Sequence, residues 1–148
     1  MDTSDPDIKF DEHGLCNHCT NYFDRIANLG YKGVESDEIL KANIEKIKNA
    51  GEGRKYDCVI GVSGGIDSTY VAWVAKSNGL NPLLVHLDNG WNSDISIKNI
   101  RNLANILECD YESFVLDWEE FKDLQLSFLK ASVPEMETPT DIAIPGAL

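Results

Sequence analysis

The sequence predicts an α/β fold built on a parallel sheet, on two observations. From Tyr56 onward short apolar runs alternate with amphipathic stretches, and a glycine-rich turn joins the first run to the helical pattern after it. In residues 57–62, 82–88 and 111–116 neighbouring residues are apolar instead of alternating, as in strands covered by helices on both faces. Leu83, Leu84 and Val85 show it best. Between these runs, helices are predicted at 67–78, ending before Gly79, and at 93–107, where Ile97, Ile100, Leu103, Ala104 and Leu107 form one stripe. Crossovers of this length favour right-handed parallel connections.

The flanks are read by the same rules. Residues 1–35 are polar, rich in Asp and Asn and without sustained periodicity, so they are read as an irregular segment around Cys16-Asn17-His18-Cys19. A helix should follow, with Ser36 as its cap, Leu40, Ile44 and Ile47 on one face, and Gly51 in the left-handed conformation that ends it. After the third strand, Asp117 and Glu120 have the spacing of an N-cap and its N3 partner, and Phe121, Leu124, Phe128 and Leu129 supply an apolar face. Thr138-Pro139 marks one more helix start, which Pro145-Gly146 is expected to break soon after. The division expected is an irregular segment, 1–35, and an α/β domain, 36–148.

A chain of 148 residues with 43% hydrophobic content supports one globular core. No stretch approaches the ~20 apolar residues of a membrane span, and the Asp-rich start lacks a signal-peptide pattern, so a cytoplasmic protein without membrane partners is expected. The formal charge of −12, from 25 acidic and 13 basic residues, opposes a nucleic-acid backbone and argues against such a partner. Four cysteines without an export signal suggest reduced thiols. Cys58 lies in an apolar run and reads as a buried structural residue; Cys109 carries no motif.

The chemistry concentrates in Ile60-Gly61-Val62-Ser63-Gly64-Gly65-Ile66-Asp67-Ser68, where a strand runs into a Gly-rich turn that opens a helix. Gly64 and Gly65 lack a Cβ, so backbone N–H groups can approach an anion, while the helix offers its unpaired N–H groups and positive dipole end. Ser63 and Ser68 add hydroxyl donors. No Lys follows the glycines, which excludes a Walker A loop. Ser-Gly-Gly-x-Asp-Ser resembles the PP-loop, a Rossmann-like ATP pyrophosphatase fold of the adenine nucleotide α-hydrolase superfamily. The resemblance implies attack at the α-phosphate of ATP, with pyrophosphate released and AMP left on the substrate. Asp67 would hold Mg²⁺, since a hard cation bridging phosphates favours carboxylate oxygen. The simpler reading is a tight strand-to-helix turn with incidental serines.

A second segment, His86-Leu87-Asp88-Asn89-Gly90-Trp91-Asn92-Ser93, stands where the second strand ends, and ligands of parallel sheets gather at such ends. Contact with adenine and ribose is one reading; an Asn89-Gly90 turn with Asn92 or Ser93 as helix cap is the other. Ser63 and Asp67 are thus the catalytic candidates, and Gly61, Val62, Ser63, Gly64, Gly65, Asp67, Ser68, Leu87, Asp88 and Asn89 the nucleotide-binding ones. Lys130 is a further candidate for substrate phosphate, although a lysine late in a helix also offsets the dipole. Cys16 and Cys19 have the spacing of half a zinc knuckle, and zinc needs two more ligands. His13 and His18 are available, and equally read as surface histidines.

The match extends beyond the loop. Asp5-Pro6-Asp7-Ile8, Phe10-Asp11-Glu12, the Cys16–Cys19 segment, the phosphate loop, Asp88–Ser93, Asp117-Trp118, Phe128–Ser132 and Pro139-Thr140-Asp141 together resemble the N-acetyl sugar amidotransferases. The resemblance implies adenylation of the N-acetyl group of a free or nucleotide-linked amino sugar. Ammonia, passed on by a glutaminase and a synthase-like subunit, would then displace AMP to give an acetamidino sugar for surface polysaccharides such as lipopolysaccharide. ATP and Mg²⁺ are implied as cofactors, with Zn²⁺ if the cysteine site is completed. Family members are longer at both ends, with a further Cys pair before Met1 and a large part beyond Leu148, so the chain is read as truncated and its PP-loop domain as C-terminally incomplete. The alternatives are another PP-loop ligase, similar to GMP synthetase or a tRNA-thiolating enzyme, and a non-catalytic nucleotide-binding fragment.

Overall fold

Three parallel strands, β1 (Cys58–Gly61), β2 (Pro82–Asp88) and β3 (Tyr111–Val115), lie side by side in the order β1-β2-β3. This computed structural model describes residues 3–29 and 33–148; positions 1, 2 and 30–32, part of the segment read as irregular, lie outside the described residues. The helices are α1 (Asn17–Leu29), α2 (Val34–Gly51), α3 (Ile66–Ser77), α4 (Asp94–Leu107), α5 (Trp118–Lys130) and α6 (Thr138–Ala147). Two compact units divide the chain, residues 1–42 and 43–148, and the phosphate loop belongs to the second.

In that second unit, β1 passes through α3 to β2, and β2 through α4 to β3, so both crossovers are helical and every strand points the same way. Register places Ile60, Leu84 and Tyr111 in one row across the sheet. Against that row pack Val62, Ala72, Ile100, Leu103, Ala104, Leu107 and Cys109. A second cluster joins Ile44 and Ile47 of α2 to Ala75, Leu80 and Cys58. Leu84 and Ile100 are among the largest fully buried side chains, each contributing roughly 1.5–3 kcal/mol of apolar burial.

The helical caps follow local chemistry. Ser93 Oγ accepts from the Ser96 N–H at the start of α4, and Asp117 Oδ1 accepts from the Glu120 N–H at the start of α5, each typically worth about 1 kcal/mol. The Asp117–Glu120 spacing and Ser93 as cap were both visible in sequence.

Several expectations are corrected. Residues 17–29 form α1 instead of irregular structure, because Cys19, Tyr22, Phe23 and Ile26 fall at helical spacing. Ser36 lies inside α2, which begins two residues earlier. Gly51 is the last residue of α2 and Gly53, at φ 76°, takes the left-handed conformation. Gly51 is small for another reason: a Cβ there would stand 2.5 Å from the Cα of Asp57. Pro145 does not end α6; it removes one donor in the last turn, while Leu148 N–H still bonds to Ile144 O at 3.2 Å.

The sheet is also less enclosed than its composition suggests. On the face opposite the core, α6 packs over β2, while Val59 of β1 and Phe114 of β3 remain 44% and 52% exposed. Cys58 is half-buried and Cys109 buried in the core, and burial raises both thiol pKa values. No helix among the described residues is long and apolar enough to cross a membrane.

Candidate functional site

The turn from β1 into α3 is wound tightly by its own side chains. Ser63 N–H donates to Ser68 Oγ at 3.2 Å, the Ser63 and Ser68 hydroxyls stand 3.4 Å apart, and Gly65 N–H donates to Ser63 Oγ at 3.4 Å. Ser68 Oγ and Thr69 Oγ1 both donate to Gly65 O, at 3.3 and 2.8 Å. Gly65 is the N-cap of α3 without a capping side chain, so the first N–H groups of the helix face outward from the loop. Asp67 lies exposed in that first turn.

The two glycines have different duties. Gly64 sits at φ 78°, and a Cβ on it would stand 2.4 Å from Ser96 O in the first turn of α4. Asn99 Nδ2 donates to Gly64 O at 3.1 Å, so α4 buttresses the loop from behind. Gly65 has ordinary φ, and a Cβ there would meet only Ser63 Oγ at 3.4 Å. The surface above Gly65 is therefore open for a ligand, while the space behind Gly64 is filled by protein.

Beside the loop, at the carboxyl ends of β1 and β2, lies a cleft of about 490 Å³. Gly61, Val62 and Ser63 form one wall, Leu87, Asn89 and Asn92 another, and Thr140 and Ile144 of α6 a third. Asn89 Nδ2 donates to Thr140 Oγ1 at 3.1 Å and its Oδ1 accepts from Trp91 N–H at 3.1 Å, which ties the β2 terminus to α6. Asp88 Oδ1 accepts from Gly90 N–H at 3.0 Å and from Asn92 Nδ2 at 2.7 Å. The carboxylate thus holds the loop after β2 in shape.

Of the residues singled out in sequence, Gly61, Val62, Ser63, Leu87 and Asn89 line this cleft. Gly64 and Gly65 line a separate groove between α3 and α4, with Tyr70 and Trp73 stacked at 5.7 Å along its edge. Asp67, Ser68 and Asp88 line neither, although Ser68 bonds directly to Ser63. Lys130 is exposed in the last turn of α5 and away from the cleft lining. His86 and Asn92 fell within the segment read as meeting adenine and ribose without being singled out, and sequence reasoning missed Thr140 and Ile144 as cleft residues.

In the first unit, Cys16 Sγ and Cys19 Sγ are 3.5 Å apart at the start of α1. The backbone N–H of Cys19 holds the Cys16 thiol below its usual pKa, whereas contact with the Cys16 side chain raises that of Cys19. His18 Nε2 is engaged with Asp5 Oδ2 at 2.6 Å, and His13 is exposed beside Glu12. Among the described residues no group of three or more His, Cys, Asp or Glu could hold a metal ion.

A family model described as "Queuosine biosynthesis protein QueC" matches residues 57–145, from the start of β1 into α6. The chain belongs to the QueC family. With the parallel sheet and the loop geometry, membership in the QueC family makes the fold a Rossmann-like PP-loop fold. Similar solved structures include an NMN synthetase from Francisella tularensis, at 20% identity, covering 67% of this chain and 40% of that one, with TM-score 0.43. Another is an NH3-dependent NAD synthetase from Campylobacter jejuni subsp. jejuni NCTC 11168, in complex with the nitrate ion, at 20% identity, 66% and 41% coverage and TM-score 0.43. The chain spans about two fifths of the length of each. No curated protein matches it.

Proposed function

We propose that residues 36–148 are a nucleotide-binding domain that holds ATP with Mg²⁺ and presents its α-phosphate to an acceptor oxygen. The observation that carries this is the self-bonded Ser63–Ser68 loop opening into the cleft at the strand ends. Its donor set suits a polyphosphate: Ser63 and Ser68 hydroxyls, backbone N–H groups at the N-terminus of α3 and the bare Cα of Gly65. Asp67 offers the carboxylate that a hard cation prefers, and bound Mg²⁺ would disperse charge on the departing pyrophosphate. The apolar wall of Leu87 and Ile144 suits adenine.

The acceptor we propose is the carbonyl oxygen of an N-acetylamino sugar, on the strength of the motifs shared with N-acetyl sugar amidotransferases. That oxygen would attack the α-phosphorus and expel pyrophosphate, giving an O-adenylyl imidate. Ammonia would then add to the imidate carbon, AMP would leave with the C–O bond, and loss of a proton would give the amidine. The same motifs support a glutaminase with a synthase-like subunit as the ammonia source. A second reading, favoured by the match over residues 57–145, is a step in queuosine biosynthesis.

The deciding experiment follows ATP with the chain and its ammonia source, supplied in turn with N-acetylamino sugars and with queuosine precursors. AMP and pyrophosphate should form only with sugar and ammonia together, and product mass should fall by about one dalton as oxygen becomes NH. ADP formation, or turnover with queuosine precursors alone, would overturn the sugar reading.

A further inference from the structure

From Tyr70 to Ala75 every residue of α3 is apolar, so this part of the helix is apolar on all sides. Helices of that kind are ordinarily buried all round. Here Ala72 and Ala75 face the core, while Tyr70, Val71 and Trp73 stay 61%, 54% and 51% exposed. Outward-facing Ile66, Tyr70 and Trp73 fall at helical spacing along one wall of a groove of about 550 Å³, and Asn99, Asn102 and Ile106 of α4 fall at helical spacing along the other. The stacked rings of Tyr70 and Trp73 form a ridge at its edge.

Every residue lining the groove is uncharged, in a chain that is 26% charged with a net charge of −12. The charges of α4, Asp94, Lys98 and Arg101, lie around a different groove. We propose that this face of α3 and α4 pairs with the same face of a second copy of the chain, related by a two-fold axis. The ridge of each copy would enter the groove of the other, so one contact is made twice and the assembly closes at two. Charge selects this occupant. Near a two-fold axis a patch meets itself, so a charged patch would repel its copy and an uncharged one does not. A basic protein drawn to this acidic chain would be met by carboxylates, and none lines the groove. The other exposed apolar surface, beside Phe114 on the sheet, does carry a carboxylate, that of Glu112.

Two short helical stripes are less than the roughly 20–30 residues a side of a standard interface, so the dimer is reversible and separates on dilution. Its aromatic centre at Trp73 lies about two turns along α3 from Gly65, which leaves the phosphate loop open. The pairing does not depend on the nucleotide reading.

Sedimentation velocity over a dilution series from micromolar to submillimolar protein tests it, with reductant and chelator present so that cysteines cannot link the copies. Wild type should pass from monomer to dimer as concentration rises and stop there. Trp73→Glu should weaken the association about thirtyfold or more, as loss of an aromatic hot spot does. Phe114→Glu, on the exposed sheet face, should associate as wild type does. A wild type that stays monomeric throughout overturns the proposal, and growth beyond the dimer overturns the two-fold arrangement. So does a dimer that Trp73→Glu leaves intact, or one that Phe114→Glu dissolves as readily. Should Trp73→Glu fail to fold by circular dichroism, Ile106→Glu, at a position 78% exposed, carries the same test.

Discussion

Gly64 and Ser96 approach so closely that no side-chain atom fits between them: a Cβ on Gly64 would lie 2.4 Å from Ser96 O and 2.8 Å from its Cα. Both clashing atoms are backbone, and φ at Gly64 is 78°. Gly64→Ala should therefore cost more than about 2 kcal/mol, combining left-handed strain with displacement of the α4 terminus, and lower the melting temperature by several degrees. Gly65→Ala should cost under about 1 kcal/mol. It should instead weaken MgATP binding, since its methyl group would sit on the open side of the loop. Thermal unfolding and calorimetry on both variants check this, and equal melting temperatures for the two would be the contrary result.

Asp67 is the carboxylate in the first turn of α3. Asp67→Ala should reduce affinity for MgATP more than affinity for metal-free ATP, because the loss falls on the cation and not on the phosphate donors. Calorimetry with and without Mg²⁺ separates the two, and an equal loss in both conditions would remove Asp67 from metal binding.

Asp110 accepts from Tyr56 Oη at 2.7 Å and lies 3.0 Å from Lys55 Nζ; the tyrosine hydroxyl and then the lysine hold its pKa below the usual carboxylate value. A depressed folded-state pKa gives stability that is present above the unfolded value and lost as pH falls through the folded one. The group is exposed, so the effect is small. Asp110→Asn should melt below wild type at pH 7, and the gap should close as pH drops below about 4. Melting curves from pH 7 to pH 2 test it; a gap that does not change with pH would count against the linkage.

Cys16 and Cys19 provide two thiols, and the His18 imidazole is already paired with Asp5. Tight structural zinc needs four ligands. The chain, purified as a monomer and dialysed at length, should retain well under one zinc per molecule by metal analysis. One tightly held zinc per monomer would mean that residues such as His13 or His18 rearrange to complete the shell.

The α/β core could be read from sequence because its cues are local. β2 is a near-continuous apolar run, α4 a single stripe, and the caps Ser93 and Asp117 each sit three residues before the N–H they receive. What escaped depends on partners distant in the chain. Thr140 counts as a site residue only when Asn89, 51 positions away, ties it to the cleft wall. Gly51 was read as a helix stop by its lack of a Cβ, yet the requirement comes from Asp57 pressing on it. α1 was missed because its apolar side is short and set among Asn, Thr and Asp, and α6 because a proline in a last turn breaks less than one in mid-helix.

Gly90, at φ 83°, lies under the ring of Trp118, where a Cβ would come within 2.7 Å, and Trp91 meets the same ring edge-on at 5.3 Å. The two indoles thus bracket the short loop that also carries Asn89 and Asn92 into the cleft. Indole emission responds to the polarity and packing of its surroundings, so the protein carries its own optical gauge of that loop. The gauge needs no attached dye. Trp73 stands apart on α3 beside Tyr70, and its replacement by Phe would leave an emission signal that comes from the two rings at the cleft's edge.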